Sequence, residues 1–476
     1  MEKRKDENSG GLHKSWKVKN AVMGMQKKFR ANLEASLFLL VGLCAGIGMI
    51  FADLPFQAPD ATRHYLWAMD VSYGNLLRPL ANISSHEDGM ITIPDNLDKV
   101  KISSVKPGDR KIKKLLRRWK TSHFSKEITE KKEEGAFVSF FYYPMAFGIW
   151  LGRTLGLSVY SCTVLPRLFN LAVFLALSWE AVKITPIRKN ILAVVALFPM
   201  TIYQAAACSP DAMLNGLCFL FTSLCFYYAY GEKEHLSWKD MWKPGLLLGV
   251  IFLCKYVYVC LGLLVFLIPA KKFGTRKEYW KSFMVGLLPL LVFGVAGVFN
   301  MISAVSGGPA VEGGVTQIGY LTSHPGFIIK VLHTTFMNKF NDYMLWLNTL
   351  GAVNYSLRPL IYLVPMTAMY IGAADCNAVC SSIRMRDRII CFAAFAAICT
   401  GVVMGIYIGD GQANEVGALV VQGVQGRYFI PALPAFFGAV SLRGVRNQNP
   451  HFTEKAIGLM GVFLMYAVRA VHFQCF

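Results

Sequence analysis

Apolar runs of spanning length recur along this chain, and no feature narrows its fold more. In hydrocarbon every backbone N–H and C=O must pair within its own element or a closed barrel, so runs of about 20 apolar residues become helices. The first is LEASLFLLVGLCAGIGMIF, behind about 30 polar and basic residues. That position, without a small-residue cleavage site, reads as a retained anchor rather than a signal peptide. Hydrophobic residues make up 54% of the 476 and charged residues only 16%, which excludes a soluble globular protein of this size. The expected fold class is an all-α polytopic membrane protein.

The formal net charge of +20 comes from 49 Lys and Arg against 29 Asp and Glu. In a soluble chain that surplus would suggest nucleic acid. Here it lies between the apolar runs, where the positive-inside bias and anionic membrane lipids account for it, so no nucleic-acid partner is expected. The 12 cysteines fall mostly inside apolar runs without metal-ligand spacing and read as small apolar filler.

The basic stretch before the first run places residues 1–33 in the cytoplasm and residue 54 onward outside. A long connection follows, 54–160, as a first extracytoplasmic loop. Its middle, KIKKLLRRWK at 111–120, reads either as an amphipathic helix on the headgroups or as a solvated charged loop. FVSFFYYPMAFGIWLGRTLG, at 137–156, is taken as an interfacial or re-entrant helix pair. If it crossed, every later basic cluster would change sides.

Spans are then expected near 34–53, 163–183, 190–207, 212–230, 280–303, 357–374, 388–408, 427–444 and 455–473. A pair of half-length helices within 244–270, hinged near Lys255, brings the total to about eleven. The domain organisation is a single membrane domain, 34–476, with a second large outer segment at 304–356. The Gly-rich start of that segment suits a movable cover. Asn82 and Asn354 match short glycosylation acceptors, a pattern common by chance. No Walker A loop and no HExxH occurs, which argues against intrinsic ATP use and zinc proteolysis.

Ionisable groups at a membrane boundary are costly to desolvate and tend to face cavities. On this topology Asp60, His64, Asp211, Lys255 and Arg427 all fall at the outer side. Asp60 and His64, four apart in PDATRHYLWAMDVSYG, share one face of a helix starting at the Pro-Asp step, with Asp60 either its cap or a reactive carboxylate. Asp211 in CSPDAM has the same two readings. Lys255 is a snorkelling lysine or a phosphate partner. Arg427, beside Tyr428 and Phe429 in QGRYFIPALP, is an interfacial anchor or a bidentate phosphate ligand.

Three motifs together resemble the bacterial membrane proteins catalogued as domain-of-unknown-function family 2142. PDATRHYLWAMDVSYG is similar to its Pro-Asp-Glu, His and Ser-x-Gly pattern, FPMTIYQAAACSPDAMLNG to its Pro-Met, Gln and Ser-x-Asp-Ala segment, and QGRYFIPALP to its Gln-Gly-Arg-Tyr-Phe-x-Pro. The likeness runs from about residue 35 to 445. The family is grouped with the GT-C glycosyltransferases, so the resemblance implies a GT-C-like fold and transfer of a sugar from a polyprenyl-phosphate donor to a cell-envelope glycan or lipid-linked acceptor. By position it implies Asp60 as base or acceptor-binding group, Asp211 as a second acid and Arg427 as ligand of the lipid phosphate, with Lys255 resembling a hinge lysine of related enzymes; beside them His64 is read as orienting Asp60 or binding substrate, and Tyr428 as flanking Arg427 at the phosphate. Ala61 stands where the family pattern has Glu, so a paired carboxylate or a divalent metal lacks that ligand here. A transporter or flippase of a lipid-linked or anionic envelope precursor would use the same residues without chemistry, and is the alternative from another class.

Overall fold

The computed structural model describes residues 32–74, 90–91, 100–101, 111–123, 139–306, 317–351, 355–375, 383–409, 413–440 and 449–475. The acceptor asparagines Asn82 and Asn354, Cys376, Cys380 and residues 1–31 lie outside these ranges.

The first apolar run forms α1 (Leu33–Ala52), and a loop leads from it to α2 (Ala61–Ser72). After the short antiparallel pair β1 (Met90–Ile91) and β2 (Val100–Lys101) comes α3 (Lys111–Thr121), so the basic stretch is a helix. In place of a helix pair, residues 139–154 form one 3-10 turn, Ser139–Tyr142, and the single 12-residue helix α4 (Tyr143–Thr154). Pro144 sits in the first turn of α4, where a missing N–H costs nothing, so it starts a helix rather than breaking one. At about 18 Å, α4 is too short to cross a bilayer.

The long α5 (Val159–Ile184) follows, then α6 (Lys189–Ala196) and α7 (Pro199–Ala205). The expected 190–207 span is thus two short helices. Proline disfavours helical geometry in the residue before it, and Phe198 is extended ahead of Pro199. Every residue from 190 to 209 is buried, so this broken segment forms the centre of the packing.

Next come α8 (Asp211–Tyr230) and α9 (Trp238–Cys254), then the 3-10 segment Tyr256–Leu267. Lys255 between them is extended, at φ −150° and ψ 104°, so the run bends where a hinge was expected. The remaining helices are α10 (Arg276–Ser306), α11 (Gln317–Ser323), α12 (Phe327–Trp346), α13 (Leu360–Ala374), α14 (Met385–Gly409), α15 (Leu433–Ala439) and α16 (Phe452–Cys475). A two-residue ladder, β3 (Thr349–Leu350) with β4 (Tyr355–Ser356), precedes α13, and a 3-10 turn, Gly426–Ala432, precedes α15.

Among the described residues six helices are long and apolar enough to span: α1, α5, α8, the first 20 residues of α10, α14 and α16. The other expected crossings are α13, of 15 residues, the α9 and 3-10 pair, the broken α6 and α7, and the 3-10 turn with α15. The protein is a membrane protein built of helices.

Helix direction divides the bundle into two ends. The C-end of α1, the N-end of α8 and the C-end of α9 lie together, because Lys255 bonds Asp211 and Arg427 pairs with Asp60. α8 carries the chain about 30 Å away from there. At the far end Arg188, buried at φ 59°, donates to the carbonyls of Gly372, Asp375 and Val440 at 2.8–2.9 Å. Those carbonyls close α13 and α15, and a cation suits the negative pole of a helix C-terminus.

α9 and α10 pack at their closest where Gly245 meets Gly286. A Cβ on Gly245 would lie 2.0 Å from the Gly286 carbonyl oxygen, a backbone atom with no side-chain freedom to yield. Gly245→Val should therefore push the two helices apart and cost about 1–3 kcal/mol. Thermal unfolding in detergent checks this: an unchanged midpoint would contradict the contact.

Candidate functional site

The loop from Asp53 to Asp60 leaves α1 and folds back over the bundle end. Two of its residues, Phe56 and Asp60, take left-handed backbone conformations, at φ 70° and 59°. Asp tolerates that region, whereas a bulky Phe there is an outlier that surrounding packing must hold. Phe56 is held by edge-to-face contacts with Tyr65 at 5.0 Å and Trp119 at 6.1 Å.

Asp60 occupies the N-cap position of α2, yet its side chain caps nothing. The capping reading of this residue fails. Its carboxylate is 59% exposed and lies 3.7 Å from the guanidinium of Arg427, which is only 4% exposed. Arg427 is fixed by the 3-10 turn Gly426–Ala432, and Gly426 is needed there because a Cβ would fall 1.9 Å from the Tyr343 carbonyl oxygen. Its Nη2 reaches the Tyr428 hydroxyl at 3.4 Å, while its buried Nε has no hydrogen-bond partner.

Asp211 opens α8, and its backbone N–H is capped by the Ser209 hydroxyl at 3.2 Å. The side chain is thereby free for other partners. Oδ1 accepts from Lys255 Nζ at 2.7 Å and Oδ2 from the Gln204 amide at 2.8 Å, with Asn215 donating to the other end of Gln204 at 3.4 Å. Lys255 thus neutralises Asp211, with its side chain still 35% exposed. Its ammonium also lies 4.8 Å from the centre of the Tyr428 ring, and the Arg427 guanidinium 5.1 Å. Tyr428 is a shared π-face between the two cations, and its carbonyl accepts from the Tyr258 hydroxyl at 2.8 Å.

His64 is half-buried on α2, with Nδ1 3.0 Å from the Tyr142 hydroxyl. Burial lowers its pKa from 6.5 to about 4, against the raising influence of Asp211 and Asp60; Lys255 and Arg427 lower it further. All four charges therefore act on this ring, and it is neutral at pH 7. Burial likewise raises the Tyr142 phenol well above its ordinary range. The structure thus brings Asp60, His64, Asp211, Lys255, Arg427 and Tyr428 to one end of the bundle.

Sequence reasoning passed over the residues that hold this arrangement. Arg167 and Asn170 lie one turn apart in α5, buried at 4% and 0% exposure. Arg167 Nε donates to the Ala206 carbonyl at 2.7 Å and Nη2 lies 3.7 Å from Asp53. Asn170 donates to the carbonyls of Ala207 and Ser209 at 2.8 and 2.9 Å. Together they tie down the corner that presents Asp211. Their signal was an Arg and an Asn inside an apolar run, the same rule that singled out Lys255. Gln204 was marked only as the Gln of the FPMTIYQAAAC motif, and Tyr142 gave no signal.

Segment 304–356, expected as a large outer segment, is described in part. Its α12 packs against the Arg427 turn, with Tyr343 edge-on to Phe429 at 5.3 Å, and so backs the site. Residues 307–316, the Gly-rich start of the expected cover, lie outside the described ranges. Among the described residues no three His, Cys, Asp or Glu side chains are grouped to hold a metal ion. Both oxygens of Asp211 are already engaged, so the donor set does not suit a divalent cation.

Two measurements probe this geometry. Lys255→Met leaves the Asp211 carboxylate unpaired and should cost about 2 kcal/mol, much of it recovered in the Lys255→Met/Asp211→Asn double variant; additive losses would show the pair to be uncoupled. His64 titrates near 6.5 unfolded and near 4 folded, so between those values the unfolded chain binds the proton first. The stability contributed by neutral His64 is complete above pH 6.5 and is lost as pH falls toward 4. His64→Gln should flatten that arm of the thermal-stability profile, and a profile identical to wild type would refute the shift.

No curated protein and no solved structure matches the chain. A family model described as "Predicted membrane protein (DUF2142)" matches residues 43–436, which include every residue of the site. The chain belongs to this family, domain of unknown function 2142, the family its three motifs resemble.

Proposed function

We propose that the protein is an inverting glycosyltransferase of the GT-C type, taking a sugar from a polyprenyl-phosphate donor to a cell-envelope glycan or lipid-linked acceptor. One observation carries the reading: an exposed carboxylate, Asp60, beside a buried guanidinium, Arg427, at the membrane-boundary end of the bundle. A lipid-linked donor confines its phosphate to the headgroup level, so base and phosphate ligand belong there together.

In the proposed reaction an acceptor hydroxyl gives its proton to Asp60 as its oxygen bonds the anomeric carbon. The bond from that carbon to the phosphate oxygen breaks, and polyprenyl phosphate leaves with the electron pair. Arg427, with an unpartnered Nε and a planar fork, offsets the charge on the departing phosphate, an effect strengthened in a poorly solvated site. Lys255 adds positive potential while bound to Asp211. Neutral His64, fixed by Tyr142, orients the acceptor beside Asp60. No step is routed through a metal.

The basic segments 184–190, 231–243, 270–281, 381–388 and 443–455 adjoin helix ends remote from the site. By the positive-inside bias that end is cytoplasmic, so the site opens outside the cytoplasmic membrane. The shorter apolar segments complete about eleven crossings in this reading.

Asp60→Asn should lower transfer about 10²–10⁴-fold in reconstituted vesicles supplied with a polyprenyl-phosphate sugar and acceptor, without changing folding. Full activity in that variant would remove Asp60 from the chemistry and the enzyme reading with it.

A further inference from the structure

A cavity of about 360 Å³ lies between the 3-10 turn Ala270–Phe273 and the start of α10, and the proposed reaction does not use it. Lys271, Gly274, Thr275, Arg276, Tyr279 and Trp280 line it. The chain turns there at Gly274, at φ 75°, and the Thr275 hydroxyl accepts from the Glu278 N–H at 3.2 Å as α10 begins. Its aromatic wall is held in place: Tyr279 meets the buried Phe273 edge-on at 5.4 Å and Trp280 at 5.5 Å. The Lys272 carbonyl accepts from the Leu236 N–H at 2.8 Å, and its ammonium donates to the Gly231 carbonyl at 3.1 Å. Gly231 and Leu236 join the C-end of α8 to α9, so the cavity stands at the end of the bundle remote from Asp60.

Two cations line this cavity uncommitted: among the described residues neither Lys271 nor Arg276 has a side-chain hydrogen bond or ion pair. Their neighbours do. Lys281 lies 3.9 Å from Glu278, Lys233 bonds Asp240, and Arg386 donates to the Phe266 carbonyl at 2.6 Å. From the cavity an apolar stripe runs down α10. Trp280, Met284, Leu288, Leu291 and Val295 recur every three or four residues on one face and are 48–65% exposed. The first 20 residues of α10 are apolar enough to span, so this stripe faces acyl chains. Its length of about 22 Å exceeds the roughly 15 Å of hydrocarbon in one leaflet. The cavity therefore stands where the stripe meets the headgroups. A soluble anion could use only the cations, whereas an amphiphile uses the cations and the stripe together.

We infer that this cavity binds one anionic phospholipid, with its phosphate between Lys271 and Arg276, its glycerol beside Trp280, and an acyl chain along the stripe toward Val295. A phosphodiester accepts charge-assisted hydrogen bonds from an ammonium and a guanidinium at once, and an indole suits the boundary between glycerol and hydrocarbon. Diffuse attraction to an anionic bilayer would draw on every exposed cation alike, but a walled cavity confines it to one lipid. Held there, the lipid braces α10, which packs on α9 through Gly245 and Gly286. The inference does not depend on the transferase reading.

Native mass spectrometry of the full chain in a neutral detergent, titrated with dioleoylphosphatidylglycerol or dioleoylphosphatidylcholine, provides the test. A first phosphatidylglycerol should bind about tenfold more tightly than phosphatidylcholine, and Lys271→Gln/Arg276→Gln should weaken it about tenfold. Lys239→Gln/Lys243→Gln removes two exposed cations at the same end but outside the cavity, and should change binding less than about twofold. Lys271→Gln and Arg276→Gln singly should each give part of the loss, which keeps the result readable if the double variant is less stable. Glycerol 1-phosphate in excess should leave the lipid in place. Equal binding of the two lipids, or equal weakening by both double variants, overturns the inference, the second showing diffuse surface attraction. Displacement by glycerol 1-phosphate overturns it too, because the cavity would then take a free phosphate ester rather than a lipid.

Discussion

The contact between Lys255 and Asp211 is the interaction on which the site end of this protein depends. Either charge alone at the edge of an apolar bundle is costly, and together at 2.7 Å they satisfy one another. The cost of separating them fixes the N-end of α8 against the bend after α9. That bend is where the apolar run leaves helical geometry, so Lys255 is both the break in the run and the charge that holds it. Tyr428 packs beside the ammonium, and its neighbour Arg427 is thereby drawn into the same small volume.

Charges around the site divide by burial. Arg167, Asn170, Gln204 and Asp211 are buried and bonded to protein partners, which is the arrangement of a frame. Asp60 differs in kind: exposed, in a left-handed conformation, without the helix-capping bond its position offers. An exposed carboxylate held only at 3.7 Å from a buried guanidinium leaves the first open to an incoming hydroxyl and the second to a phosphate. The strain of the loop is balanced by Phe56, whose ring is clasped between α2 and α3. In this way a helix from the long connection between α2 and α4 supports the backbone that presents Asp60.

Membership of a family defined by sequence alone leaves chemistry to be argued from the site, because a fold does not imply a function. Here the argument rests on position. The carboxylate, the guanidinium and the cationic helix lie at the same end of the bundle, and the basic inter-helix segments adjoin the other. That polarity suits the proposed substrate, with its lipid in the membrane and its polar part in water.

Membrane class, the long helices α1, α5, α8, α14 and α16, and the bend at Lys255 were legible in the chain itself, because hydrocarbon admits so few backbone solutions that length and polarity nearly decide them. So was the choice of Asp60, His64, Asp211, Lys255 and Arg427, since a charge at the edge of an apolar run is conspicuous in one dimension. Partners were not legible. That Lys255 pairs with Asp211, that Arg167 reaches the 206 carbonyl and that Arg427 meets Asp60 are contacts between segments tens to hundreds of residues apart, and sequence spacing carries no trace of them. The broken path of α6 and α7 was missed for a related reason: hydropathy reports how apolar a run is, while Pro199 and full burial on all sides decided that it would fold as two short helices inside the protein. That the basic stretch at 111–121 is a helix seated on the protein was likewise settled only when Trp119 found Phe56, a tertiary contact that no one-dimensional pattern records.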